Sequence, residues 1–139
     1  MNGGTVEYSR RPGTFRDLIA WQRGMDLARA IYLIVRNMPP SEKFALASQM
    51  WRAAYSIPSN IAEGYGRQSR PDYLKFLRIA RGSIAELETH FELATSLEII
   101  PFDLRLRNLI EEEDRILQGL IRSLERKTGQ DQAAKKRGQ

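Results

Sequence analysis

Residues 45–64 read Ala45-Leu46-Ala47-Ser48-Gln49-Met50-Trp51-Arg52-Ala53-Ala54-Tyr55-Ser56-Ile57-Pro58-Ser59-Asn60-Ile61-Ala62-Glu63-Gly64. Leu46, Met50, Ala53/Ala54, Ile57 and Ile61 recur at spacings of three and four, the stripe of a helix with one buried face. Pro58 interrupts that stripe. Its ring clashes with the carbonyl of Ala54 and it offers no N–H, which predicts a kink. Ser56, Ser59 and Asn60 surround this point, and one of them, or a water, can satisfy the freed Ala54 carbonyl. Gly64 reads as a helix C-cap, followed by a loop from Tyr65 to Ser69.

Three further helices follow on either side. Helix 1 is expected from Arg16 or Asp17 to about Asn37. It carries two apolar stripes, Leu18-Trp21-Met25-Ala28-Tyr32-Val35 and Ile19-Leu27-Ile31-Ile34. Two apolar faces are more than a monomeric bundle needs: either the helix is unusually buried or it faces a neighbouring subunit. Met38-Pro39-Pro40 ends it, and Ser41 is the expected N-cap of helix 2. Helix 3 is expected from about Pro71, with Ser69 as N-cap and Asp72 favourable to the dipole. Gly82 and Ser83, small and in its middle, suggest close approach of another helix. Ile99-Ile100-Pro101 closes it. Helix 4 is expected from Phe102 or Asp103 to about Lys127, with Thr128-Gly129 as its stop. The reading is all-α, an up-down-up-down four-helix bundle over residues 15–128. Residues 1–14 read as a flexible basic arm and 129–139 as a basic disordered tail.

Composition bounds the chemistry. The chain has 139 residues and no cysteine, which excludes disulfides, zinc–thiolate sites and thiol nucleophiles. No apolar run approaches the roughly 20 residues of a membrane span, and the N-terminus lacks a signal-peptide pattern, so the expectation is cytoplasmic, with no membrane partner. The net charge is +5, and it is segregated: residues 43–81 carry +5, whereas residues 82–125 carry −6. In an up-down-up-down bundle the start of helix 1, the 2–3 loop and the end of helix 4 share a pole. That pole collects Arg10, Arg11, Arg16, Arg67, Arg70, Arg122, Arg126, Lys127 and Lys135-Lys136-Arg137. Lys75, Arg78 and Arg81 extend it along helix 3. A surface of one sign suits a directional partner.

The run Ser56-Ile57-Pro58-Ser59-Asn60-Ile61-Ala62-Glu63-Gly64, with Ser48-Gln49 and Arg52-Ala53-Ala54 before it, resembles the signature of the bacterial four-helix bundle proteins. These include the 23S rRNA intervening-sequence proteins, and the accessory variability proteins of diversity-generating retroelements share their fold. The similarity continues in Phe15-Arg16-Asp17-Leu18, Trp21-Gln22, Ile31-Tyr32 and Pro39. Downstream it takes in Arg67, Ser69, Asp72-Tyr73, Phe76-Leu77, Ile79-Ala80, Gly82-Ser83 and Glu86-Leu87-Glu88, so that it spans roughly residues 14–125. The resemblance implies a ring-like homo-oligomer, a pentamer, with basic surfaces. It implies RNA or DNA as partner and, for the retroelement members, a reverse transcriptase. The motif residues Arg52, Pro58, Asn60, Glu63 and Gly64 read first as structural, with Arg52 pairing with a carboxylate or backing onto an interface.

Candidate chemistry is sparse. His90 is the only histidine, with Glu86 four residues before it, and no Glu-x-x-His motif of a di-iron bundle occurs. One histidine without cysteine makes a poor nucleophile–base set. Glu111-Glu112-Glu113-Asp114 reads as a solvated helix face, or one drawn to a basic neighbour, before it reads as a magnesium site. The expectation is therefore a protein that is not an enzyme, with no cofactor and no metal. Aromatics at helical spacing are expected in the core. Tyr65, in the loop beside Arg67, is the aromatic expected to touch nucleic acid. The alternative is a protein-interaction scaffold that docks partners through its acidic and basic poles.

Overall fold

The computed structural model describes residues 13–138. Four helices follow one another: α1 (Ile19–Val35), α2 (Leu46–Tyr65), α3 (Arg70–Ser96) and α4 (Leu104–Arg137). Each packs on its neighbour in sequence, and α4 returns to α1, which gives the antiparallel square of an up-down-up-down bundle. The α2–α3 seam is the most extensive. Its core is aliphatic and drawn from all four helices. Leu27, Ile31, Met50, Ile57, Ile61, Leu77, Ile84, Leu87, Ile110 and Leu117 are fully buried, each worth about 1.5–3 kcal/mol relative to exposure.

The helix ends differ from the sequence expectation in instructive ways. Short 3-10 turns precede α1 (Phe15–Asp17) and α2 (Pro40–Glu42). Thr14 Oγ1 accepts from the Arg16 N–H and caps the first. Ser41 lies inside the second, so it does not cap α2, which begins at Leu46. Ser69 does cap α3, accepting from the Asp72 N–H, and Asp103 caps α4 through the Leu106 N–H.

α4 does not stop at Thr128-Gly129 but runs to Arg137, which corrects the reading of residues 129–137 as disordered. Thr128 Oγ1 donates to the Leu124 carbonyl, Arg70 reaches across to Asp131 at 2.6 Å, and Lys135, Lys136 and Arg137 complement the helix dipole. One glycine costs about 1 kcal/mol against alanine, which these terms offset.

α3 closes with a Schellman arrangement: the Ile99 N–H bonds the Ala94 carbonyl and the Glu98 N–H bonds the Thr95 carbonyl. The residue this places in the left-handed region is Glu98, at φ 58°, where glycine would be unstrained. Glu98→Gly is expected to raise the unfolding free energy by about 1 kcal/mol, and Glu98→Ala to leave it unchanged. Urea denaturation of the three proteins checks this; equal midpoints for the two variants would refute it.

Around Pro58 the polar residues bond other carbonyls than the one predicted. Ser59 Oγ donates to the Tyr55 carbonyl, and Asn60 Nδ2 to the carbonyl and Oγ of Ser56. Ser56 Oγ then meets Ser83 Oγ of α3 at 2.8 Å, and Ser83 Oγ donates to the Ile79 carbonyl. Hydrogen bonds through Ser56 and Ser83 thus stitch α2 to α3 beside Pro58, within a helix that continues unbroken from Leu46 to Tyr65. Gly64 is not a cap. It lies buried within α2, and a Cβ there would stand 2.7 Å from Phe76 Cβ of α3. Gly82, by contrast, faces open space, and Ser83 alone of that pair supports the close approach.

Candidate nucleic-acid interface

α1 and α3 begin, and α2 and α4 end, at one pole, so the cations predicted for it do converge there. Arg10 and Arg11 lie outside the described residues. Arg16 sits in the 3-10 turn with its guanidinium 4.6 Å from the centre of the Phe15 ring. Most of the arginines on α3 and at its start are matched by carboxylates. Arg67 pairs with Glu63 at 2.9 Å and stacks over Phe76 at 4.7 Å; Arg70 pairs with Asp131, Arg78 with Glu125 and Arg81 with Asp114. Three of these four pairs cross from α3 to α4, so much of the positive charge on α3 is answered by carboxylates of the helix beside it. Such exposed pairs are worth about 0–1 kcal/mol each.

Other cations have no carboxylate partner among the described residues. Lys75 is exposed on α3, and Arg122 hydrogen-bonds only the neutral Gln118 at 2.9 Å. Arg126, Lys127, Lys135, Lys136 and Arg137 are exposed along the last turns of α4 and join no ion pair among the described residues. The final ten residues of α4 add roughly 15 Å of helix that carries charge rather than core.

Tyr65 is the last residue of α2, not part of a loop. Its hydroxyl donates to the Gly13 carbonyl at 3.0 Å and its ring meets Tyr73 edge-on at 6.0 Å. Burial and the neighbouring Tyr65 push the Tyr73 hydroxyl up to about 12. Tyr65 therefore works as a brace between the chain's start and α3. Arg52 is exposed and joins no ion pair among the described residues, contrary to the expected carboxylate partner.

The acidic run on α4 divides. Glu111 pairs with Arg107, Glu112 with Arg23 and Asp114 with Arg81. Glu113 alone turns inward. It is fully buried, neither carboxyl oxygen has a hydrogen-bond partner among the described residues, and its Oε2 would lie 2.7 Å from a Cβ on Gly24 of α1. Burial above all, with Glu112 and Asp26 nearby, pushes its pKa up to about 8 against the opposing pull of Arg23. Gly24 also faces Ile57 and the Pro58 ring, so α1 thins where the proline and the carboxyl both press on it. His90 Nδ1 is buried without a partner on α3. Among the described residues no three His, Asp or Glu side chains converge as metal ligands would. Nor is any helix long and apolar enough to cross a membrane.

The opposite pole exposes apolar side chains. Phe44, Leu93, Leu97, Phe102 and Leu104 are exposed there. A cavity of about 270 Å³ opens between the end of α3 and the start of α4, floored by Phe91, Phe102 and Ile110 and rimmed by Glu88, Glu92, Glu111 and its ion-pair partner Arg107.

Against this geometry, the sequence profile of the 23S rRNA-intervening sequence proteins matches residues 16–121. The fold is similar to the crystal structure of a protein of unknown function from the S23 ribosomal protein family of Bacteroides thetaiotaomicron. That likeness has a TM-score of 0.70 at 26% identity and covers 75% of this chain and 96% of the other. No curated protein matches the sequence.

Proposed function

The chain belongs to the 23S rRNA-intervening sequence protein family, and from that premise we propose that it is a non-enzymatic, homo-oligomeric bundle whose basic pole binds the backbone of RNA or DNA. The observation that carries this reading is the end of α4, where Arg126, Lys127, Lys135, Lys136 and Arg137 stand exposed without carboxylate partners among the described residues. Lys75 and Arg122 extend that surface. Cations of this kind bind phosphates with release of counterions, strongly salt-dependent and with weak sequence preference. Arg67, Arg70, Arg78 and Arg81 contribute less, because a phosphate must first displace their carboxylates. Self-association draws support from the exposed Leu93, Leu97, Phe102 and Leu104 at the other pole. The resemblance to accessory variability proteins favours a ring of five and a place beside a reverse transcriptase.

A protein-docking scaffold is the second reading, favoured by the apolar cavity with its charged rim. Fluorescence anisotropy with a structured RNA and a duplex DNA, at two salt concentrations and on protein of mass known from light scattering, separates the two. The expected result is binding that weakens steeply with salt. Exchange of Arg126, Lys127, Lys135, Lys136 and Arg137 for glutamine is expected to weaken it at least tenfold. The salt slope should flatten by about 0.7–0.9 for each phosphate that is no longer neutralised. No binding at low salt would overturn the nucleic-acid reading and put the scaffold first.

A further inference from the structure

A second surface, away from the basic pole, carries aromatic rings and cations together. Tyr32 of α1 and Tyr55 of α2 are 48% and 43% exposed, although burial of either ring would contribute stability. Trp51, half-buried, lies between them, its ring centre 5.4 Å from each. The rings meet at 56° and 73°, tilted and edge-on, so none of the three covers another face to face. An edge-on contact engages one face of one ring only, and the exposure of Tyr32 and Tyr55 leaves ring surface open to a further stacking partner.

The charges that flank them along the two helices are of one sign. Arg36 stands one turn beyond Tyr32, and Arg52 adjoins Trp51 and precedes Tyr55 by three residues; both are exposed and join no ion pair among the described residues. Neither helix carries a carboxylate between Tyr32 and Tyr55; Glu42 lies in the 3-10 turn that connects them and joins no ion pair among the described residues. The nearest acids along the two helices are already engaged: Asp26 by Arg23 and Arg29, Glu63 by Arg67.

We infer that the Tyr32–Trp51–Tyr55 ladder, with Arg36 and Arg52, is a binding surface for single-stranded nucleic acid, its unpaired bases stacking on the rings and its phosphates meeting the two guanidiniums. The inference rests on the nucleic-acid reading above and deepens it: the pole takes backbone of any form, and the ladder selects strands whose bases are free. Paired bases in a duplex present no open face to a flat helix surface, whereas a single strand presents one at every nucleotide. An acidic or purely apolar protein partner would leave either the rings or the unpaired cations without a match.

The test titrates single-stranded oligoadenylate, and the same strand paired in a duplex, against the full chain by anisotropy and tryptophan fluorescence. Oligoadenylate is expected to quench the emission of Trp51; duplex is not, and Trp51→Phe is expected to abolish the signal while binding persists. Tyr32→Leu with Tyr55→Leu is expected to weaken single-strand binding about 5- to 150-fold for each base left unstacked, with the salt slope and the duplex affinity unchanged. Arg52→Gln should instead lower the slope by about 0.7. Oligoadenylate binding seen by anisotropy without quenching, or unmoved by the tyrosine substitutions, overturns the ladder and leaves the basic pole standing. A fall in mass by light scattering in the tyrosine variant makes the ladder a contact between copies and overturns it equally. Absence of binding to both probes at low salt overturns the pole and the ladder together.

Discussion

Replacing Glu113 with leucine is expected to remove most of the pH dependence of folding between about pH 4.5 and pH 8. The carboxyl is fully buried with both oxygens unbonded, and burial holds its pKa at about 8 in the folded chain against 4.5 when exposed. Its folded value is raised, so the native state binds the proton more tightly than the unfolded state. Stability is therefore greatest below the unfolded pKa and falls as pH rises through the window, by about 1.4 kcal/mol per pH unit. Above about pH 8 both states are ionised and the loss is complete. Leucine removes the titrating group and fills the site with apolar atoms, which also spares the cost of about 1–3 kcal/mol for an unsatisfied polar group. Urea unfolding at a series of pH values from 5 to 9 measures it. Parallel slopes for the natural and the Glu113→Leu chain would mean that Glu113 finds a partner in solution.

The second large effect is expected at Gly64. A methyl there would sit 2.7 Å from Phe76 Cβ, 3.1 Å from Tyr73 Cδ1 and 3.3 Å from the Tyr73 carbonyl. Phe76 Cβ is fixed to the α3 backbone and cannot rotate aside, so Gly64→Ala must push α2 and α3 apart at their tightest point. Overpacking of this kind costs about 1–3 kcal/mol, more than the roughly 1 kcal/mol of helix propensity that alanine adds. Arg67 stacks on the same Phe76 ring, so the damage extends to the α2–α3 corner. Gly66→Ala is the control, since its Cβ would meet only carbonyl oxygens at 3.5 and 3.9 Å. Thermal unfolding should separate the two variants by several degrees. An unchanged midpoint for Gly64→Ala would show that the seam can give.

Much of this protein was legible before its fold. The spacing of Leu46, Met50, Ile57 and Ile61, the Ser69 cap and the proline-rich breaks set four helices in the right order, because apolar period and capping act through neighbours within a turn. The gathering of cations at one pole followed from topology alone. Three features were not legible, and each depends on a residue far away in sequence. Gly64 read as a cap, but the reason for glycine is the Phe76 side chain opposite. Glu113 read as one of four solvated acids, although its place between Ile110 and Leu117 in the buried register marked it; only the packing of Gly24 and Pro58 around it decided that it turns inward. The arginines of α3 read as free charge, yet their carboxylates lie 33 to 61 residues on, in α4. Local period and caps are written in the order of residues, so the sequence alone determined the helices, their order and the basic pole. Which cations stay unpaired, which aromatics stay exposed and which carboxylate is buried depend on contacts across the bundle, and only the tertiary structure decided them.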